Sequence, residues 1–561
     1  MSISRSKGGR QFPLGAVAVV VVLVLAGWLA WDALGDRRSG PPASPTPTAG
    51  AVNPSPVGTG AFAEPTPSDG VASPTPTGPA DATLPPDPLP TPQPSPTVVA
   101  HETDMAFVPV VSFWSDMSDI SLEQLGAAAR GEGRLFRSVV VPVGDGPVVA
   151  EMLGLADPGS LREMELADFL AAVRGGELGI IRVADVTPAV RALAVDGVSL
   201  FGNDRLVDLR DWPMRATVLH SAVDWDQAAN WTLVAAGDIL LDRGVAQQVF
   251  TNGRGVDHPF DGGTARITRI RCCSSFGWPV PTTEKTGDRG AVRELLSGGE
   301  IAIANLESSV VPNAPLASGG LRFRGRPEML DGIKGAGFDF VSLANNHIGD
   351  GGEAGILNAI SELEARDIAH AGAGRTAAEA RQPATFDVNG QTVAILACDA
   401  IAQRYHVKPD KVGSQDCRDE RLVDEIRVTS ESANVVIVFP HWGREYRAAP
   451  RPYQRELAAD WMEAGADLVI GAHSHWAGGI EDINGRLVFY SLGNFVFDQT
   501  WQTETQLGLI LELTFQGDRL AQAWLHPTLM VEAQPNLINT GEDRQRVIDQ
   551  MREGSEGLLP Y

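Results

Sequence analysis

At 561 residues the chain has room for two or three domains of roughly 150 residues each. Its 45 Lys and Arg against 70 Asp and Glu leave a net charge of −25, and no basic face is legible, which argues against nucleic acid as a partner because phosphate neutralisation needs clustered cations. Cys272, Cys273, Cys398 and Cys417 lack C-x-x-C spacing, which argues against a structural zinc site; a Cys398 to Cys417 disulfide is one of three pairings that four cysteines allow.

In chain order, residues 1–13 carry Arg5, Lys7 and Arg10 without an acid and read as a cytoplasmic terminus. Residues 14–34 (LGAVAVVVVLVLAGWLAWDAL) have about the ~20-residue length that spans a bilayer and read as a transmembrane signal anchor, placing the rest of the chain outside a bacterial cell membrane. A signal peptide cleaved near Ala33 to Gly35 is the competing reading. Residues 35–100 form a Pro/Ser/Thr-rich disordered tether: 18 of the 39 prolines lie between Pro41 and Pro96, a stretch without Lys or Arg that cannot bury a core. It reads as a wall-spanning spacer or as an inert stalk.

Residues 101–225 alternate apolar runs (FVPVVSF, SVVVPV, LGIIRVAD) with the helical pattern SLREMELADFLAAVR, as in a small α/β accessory domain. Ser160 followed by Glu163 reads as the cap of that helix. No catalytic constellation is visible there.

Residues 226–535 read as a larger α/β domain that folds alone, followed by a tail over 536–561. Five strand-like runs in it end in metal-competent residues: TLVAAGD (Asp238), IAIANLE (Glu307), FVSLANNH (His347), VVIVFPH (His441) and LVIGAHSH (His473, His475). Sites in α/β sheets assemble outside the carboxyl ends of strands, so these ends can build one crevice. His473 and His475, two apart, project from one face if the backbone there is extended. Helical patterns fill the gaps at 351–367 and 452–467, with Gly465 as a stop.

These residues resemble the CapA family, bacterial capsule or poly-γ-glutamate synthesis proteins with a metallophosphatase-like domain. Seven stretches carry the resemblance in order: AAGDILLDRGV, ANLESSVV, SLANNHIGDGG, HAGAG, FPHWGREY, ADLVIGAHSHW and YSLGNFVFD. The resemblance implies a metallophosphatase-like core of two packed sheets flanked by helices, with ligands on loops at one edge. It implies Asp238, Glu307, Asn346, His441, His473 and His475 as ligands of one or two divalent ions, and His347 as the residue acting on substrate. Carboxylate and amide oxygens mixed with imidazoles suit Mn, Fe or Zn rather than Ca.

Three departures stand out. Leu240 occupies the place of an imidazole usual in metallophosphatases, Glu307 that of an Asp, and Ile348 that of the acid that orients the catalytic histidine, a role Asp350 can take. Arg243 and Arg444 are candidate clamps for an anionic substrate, since guanidinium pairs bidentately with phosphate or carboxylate. Two readings follow: a metal-dependent hydrolase or transferase acting on an anionic cell-surface polymer or its phosphorylated precursor, and a non-catalytic polymer-binding assembly factor. Other capsule-synthesis membrane proteins are expected partners in either case.

Overall fold

The computed structural model describes residues 101–220, 225–538 and 541–561. The expected terminus 1–13, membrane anchor 14–34 and tether 35–100 lie outside the described residues. Among the described residues no helix is long and apolar enough to cross a membrane.

The larger part of the chain is a mixed α/β structure built on two sheets. A ten-stranded sheet has at its centre Leu507–Gln516, Asn230–Ile239, Ile301–Leu306 and Phe340–Ser342, with Asn494–Val496 beside Asn230–Ile239. A six-stranded sheet runs Ala384–Val388, Gln391–Asp399, Val435–His441, Leu468–Ile470, Arg486–Phe489, Ile480–Ile483. Asn230–Ile239, Ile301–Leu306 and Phe340–Ser342 are parallel, with Ile303 opposite Ala235 and Phe340, while Leu507–Gln516 lies antiparallel to Asn230–Ile239. In the smaller sheet the central strands are parallel, with Asp399 opposite His441 and Ile437 opposite Leu468. Both faces of these strands are covered, which is why they read as unbroken apolar runs rather than alternating ones.

One apolar cluster fills the space between the sheets, joining Ala235, Ile303 and Phe340 to Ile437, Phe439 and Ile470. A second lies outside the larger sheet, where helix Gly352–Glu364 inserts Ile356, Ile360 and Leu363 against Val341 and Ala302. A third lies outside the smaller sheet, beneath helix Pro452–Ala464. Pro452 opens that helix where its missing N–H costs nothing, and Gly465, at φ 111°, ends it in the left-handed conformation a side chain disfavours.

Residues 101–220 form their own six-stranded sheet around His101–Ser112, with a separate core that includes Phe107, Val140, Phe169 and Ile180. This module docks through Gln522 Oε1, which accepts from Ala192 N–H at 2.8 Å, and through Thr514 Oγ1 and Glu512 Oε1, which accept from Gly202 and Asn203 N–H. Glu512 and Thr514 pair with Val234 and Thr232, four and six residues before Asp238, so these contacts lie roughly 13–20 Å along the strand from Asp238. The expected cap at Ser160 is corrected. Arg162–Met164 is a strand paired with Val140–Pro142, Glu163 accepts from Gly146 N–H, and the helix begins only at Leu166. Pairing with a neighbouring strand outweighs the local helical pattern.

The segment read as a tail contains helix Gly541–Gly554, whose Val547, Ile548 and Met551 lie in the inter-sheet cluster with Trp231 and Leu513. A unit ending at 535 therefore lacks part of its core. The fragment 226–561 is expected to unfold cooperatively in denaturant, and shortening it to 226–535 to lose ~2 kcal/mol for each of these side chains. Equal unfolding midpoints would show that the helix contributes nothing.

Candidate metal centre

The parallel strands of both sheets deliver their carboxyl ends to one edge. Asp238 is the penultimate residue of its strand, and a register shift between Ile303 and Asn305 brings Asn305 opposite it. Glu307 follows directly and is tied by its N–H to Ile239 O at 2.9 Å. Asn346 and His347 lie in the loop after Phe340–Ser342, and His441 is the last residue of its strand. His473 and His475 lie beyond Leu468–Ile470, and their expected extended backbone is corrected. Both are left-handed, at φ 94° and 58°. The chain turns rather than runs on, and the two rings reach different groups.

Two sets of ligand atoms converge, each within 4.8 Å: Glu307 with His441 and His473, and Asp238 with Glu307 and His475. Glu307 belongs to both, as a bridging carboxylate would. Asn346 Oδ1 joins the first set, 2.8 Å from His441 Nε2, which is itself 3.0 Å from His473 Nδ1. All of these side chains are buried.

The fit to a cation is tested by Glu307, whose two carboxylate oxygens are sealed from solvent with no hydrogen-bond donor. Such a group is costly unless it is neutralised. Burial, then the nearby Asp238 and Glu445 carboxylates, push its pKa well above the usual range. Burial likewise holds the His441 and His473 imidazoles well below theirs, aided at His441 by the charge of His473 and at both by those of His475 and His347, so both are neutral and able to ligate. Burial opposes a charge on His475, but Asp238 and Glu445 raise its pKa overall. The residues present therefore fit one or two divalent ions.

His347 approaches from the side. Its Nε2 lies 3.7 Å from Glu307 Oε1 and its Nδ1 2.6 Å from Asp350 Oδ2, with the ring stacked on Phe323 at 3.8 Å. Asp350 thus takes the place left by Ile348, which is buried in the apolar cluster beside the larger sheet. Burial lowers the His347 pKa against the pull of Asp350.

The expectation for Arg243 is corrected. Its guanidinium makes a two-pronged pair with Asp498, donates to Gly320 O at 2.9 Å and lies 4.6 Å from the Phe323 ring centre, which makes it an internal brace rather than an open clamp. Arg444 is half-buried and lines a small depression with Ser474, the residue between the two histidines.

Several residues escaped the sequence reading. Asn305 donates from Nδ2 to Asp238 Oδ1 at 2.8 Å, and the same atom lies 3.2 Å from His441 Nδ1. Asn345 donates to Leu306 O and accepts from His347 N–H. Asn494 Oδ1 lies 2.9 Å from His475 Nδ1. Glu445 acts on the centre through its charge. Each sits inside a stretch already singled out, and the signal that could have found Asn305 is its two-residue spacing from Glu307.

The set Glu307, Asn346, His441 and His473 offers four protein ligands, and Asp238, Glu307 and His475 three. Elemental analysis after dialysis is expected to find the first site filled and the second depleted; equal retention at both, or no metal, would refute this. Asn305→Ala, which removes an orienting partner and no ligand, is expected to weaken metal affinity about 10- to 100-fold. Unchanged affinity in a competition titration would remove that role.

Comparison with known proteins matches residues 232–499 to the family described as bacterial capsule synthesis protein PGA_cap. Among solved structures, the NAD nucleotidase of Haemophilus influenzae aligns over 58% of this chain and 56% of its own at 13% identity, with a TM-score of 0.30. The PGA biosynthesis protein CapA of Bacillus subtilis is 29% identical over 261 residues, covering 46% of this chain and 68% of that protein. The capsule biosynthesis protein CapA of Bacillus anthracis is 30% identical over 278 residues, covering 48% of this chain and 67% of that protein. With every candidate ligand from Asp238 to His475 inside the matched residues, the chain belongs to the CapA family of bacterial capsule synthesis proteins.

Proposed function

We propose that this CapA-family chain is a metal-dependent hydrolase or transferase of capsule or poly-γ-glutamate synthesis, acting on an anionic cell-surface polymer or its phosphorylated precursor. The observation that carries the reading is His347. It lies beside the ligand set without belonging to either convergent group, with Nδ1 on Asp350 and Nε2 turned toward Glu307. A divalent ion bound there would supply Lewis-acid polarisation of an ester or amide. His347 then gives or takes a proton at Nε2, Asp350 keeps the ring oriented, and Arg444 faces the anionic part of the substrate from its depression beside Ser474.

His347→Ala is expected to keep its metal while losing roughly 10²- to 10⁴-fold in turnover of a phosphodiester or γ-glutamyl anilide, the usual worth of a proton-transfer group. His473→Ala is expected to lose metal and turnover together. Loss of metal in His347→Ala would overturn the division of roles.

Leu240 favours a second reading. It is fully buried in the apolar cluster, so the Asp238 subsite has three ligands where an imidazole at this position would add a fourth. On that reading the pocket binds polymer during assembly or export, the parent shows no turnover, and His347→Ala leaves polymer affinity unchanged. In either case we place the globular part outside the cell membrane, held by the 14–34 segment, where it can meet other capsule-synthesis membrane proteins. Protease digestion of intact protoplasts tests this: protection of the globular part would refute it.

A further inference from the structure

We propose that Tyr405, carried on the segment closed by the Cys398–Cys417 disulfide, is a positioning residue that fixes the His347 ring by locking Asp350. The proposal takes its functional weight from the reading of His347 above, and its geometry stands apart from that reading.

Asp350 receives three groups on two oxygens. Tyr405 O–H donates to Oδ1 at 2.8 Å, Phe323 N–H donates to Oδ2 at 2.9 Å, and His347 Nδ1 lies 2.6 Å from the same Oδ2. With both oxygens held from different directions the carboxylate cannot swing, and the imidazole keeps Nδ1–H inward and Nε2 toward Glu307. Take away the phenol and Oδ1 is released, which leaves the carboxylate held at Oδ2 alone and less constrained in its rotation.

The loop after His347 is shaped to receive this ring. A Cβ on Gly349 would lie 2.3 Å from Tyr405 Cδ1, so the phenol packs on bare backbone two residues from His347. Tyr405 is half-buried, and burial raises its pKa, which keeps the hydroxyl a donor at neutral pH.

The segment is tethered independently of the site. The disulfide joins positions 19 residues apart, from the end of Gln391–Asp399 to the stretch after Gly413–Ser414. His406, next to Tyr405, sits between two carboxylates, Nδ1 at 3.2 Å from Asp416 Oδ2 and Nε2 at 3.6 Å from Asp399 Oδ2. Gln415 N–H donates to Gly372 O at 2.8 Å and Ala373 pairs with Ser414, so the segment leaves the smaller sheet and returns past the larger one. The bonded pair Cys398–Cys417 was one of three pairings open from sequence, and here it closes the loop that delivers Tyr405.

Tyr405→Phe tests the proposal because it keeps the ring on Gly349 and removes only the hydroxyl. The first readout is the proton NMR signal of the His347 Nδ1–H, identified by its loss in His347→Gln. It is expected in the parent, and in Tyr405→Phe to exchange with water at least about 10-fold faster or to vanish. The second is turnover of bis(p-nitrophenyl) phosphate by the full chain, expected to fall about 10- to 100-fold in kcat with KM and metal content unchanged. A third variant, Cys398→Ala/Cys417→Ala, retains the phenol and loses the strap; the same faster exchange is expected. A parent-like proton signal in Tyr405→Phe overturns the proposal whatever the activity, and a parent-like signal in the double variant overturns the role of the strap. If the parent shows no turnover, the hydrolase reading fails and the proton signal alone decides the positioning role.

Discussion

Two carboxylates buried side by side are the constraint around which this molecule is arranged. Asp238 and Glu307 end adjacent parallel strands, out of reach of water, and Glu307 has no donor on either oxygen. Asp238 has partners, since Asn305 Nδ2 and His473 N–H both point at it. In a low-dielectric site two such charges cannot coexist without a counter-charge, and the His441 and His473 imidazoles are held neutral by the same burial. A divalent ion satisfies carboxylates and imidazoles together, and protonating Glu307 would satisfy only one of them.

The backbone around the centre is unusual in the same sense. Arg243, Tyr446, His473 and His475 all have positive φ without being glycine. Each such residue costs on the order of 1 kcal/mol or more and persists only where the surroundings over-determine it. Those surroundings are visible: Arg243 N–H is held by Asp242, Tyr446 N–H by Ser474 O, and His473 N–H by Asp238. The strain aims side chains inward from loops that would otherwise turn them to solvent, and it is placed on a scaffold whose strands are covered on both faces.

The layer order separates chemistry from support. Among the described residues the convergent ligands come from the carboxyl ends of strands in the two-sheet domain and the loops that follow them, whereas the 101–220 module docks on the 512–522 region, alongside the first half of the strand that carries Asp238. The module therefore lends no side chain to the centre. The C-terminal helix acts on stability, through the inter-sheet cluster, and Trp114 Nε1–H donating to Tyr561 O links that end of the chain to the module.

Much of the two-sheet domain was legible in the residues. Doubly covered strands must be apolar along their length, so VVIVF and TLVAA announce themselves, and a polar ligand at the end of such a run is conspicuous because core packing has no use for it. Helix Pro452–Ala464 was equally legible, since Pro at its start and Gly465 after its end are local signals. What local pattern could not reach was any choice that depends on a partner distant in sequence. Arg243 looked like an open cation until Asp498, 255 residues on, closed over it. Arg162–Met164 looked helical until Val140–Pro142 paired with it. Tyr405 carried no signal at all, because its role exists only where the disulfide-closed segment crosses Asp350. Sequence by itself determined which residues could bind a metal and the strands that carry them, because apolarity and ligand chemistry are properties of single residues. Tertiary structure alone decided which charges are neutralised by neighbours and which are left for an ion, because that depends on what folding brings within about 3 Å.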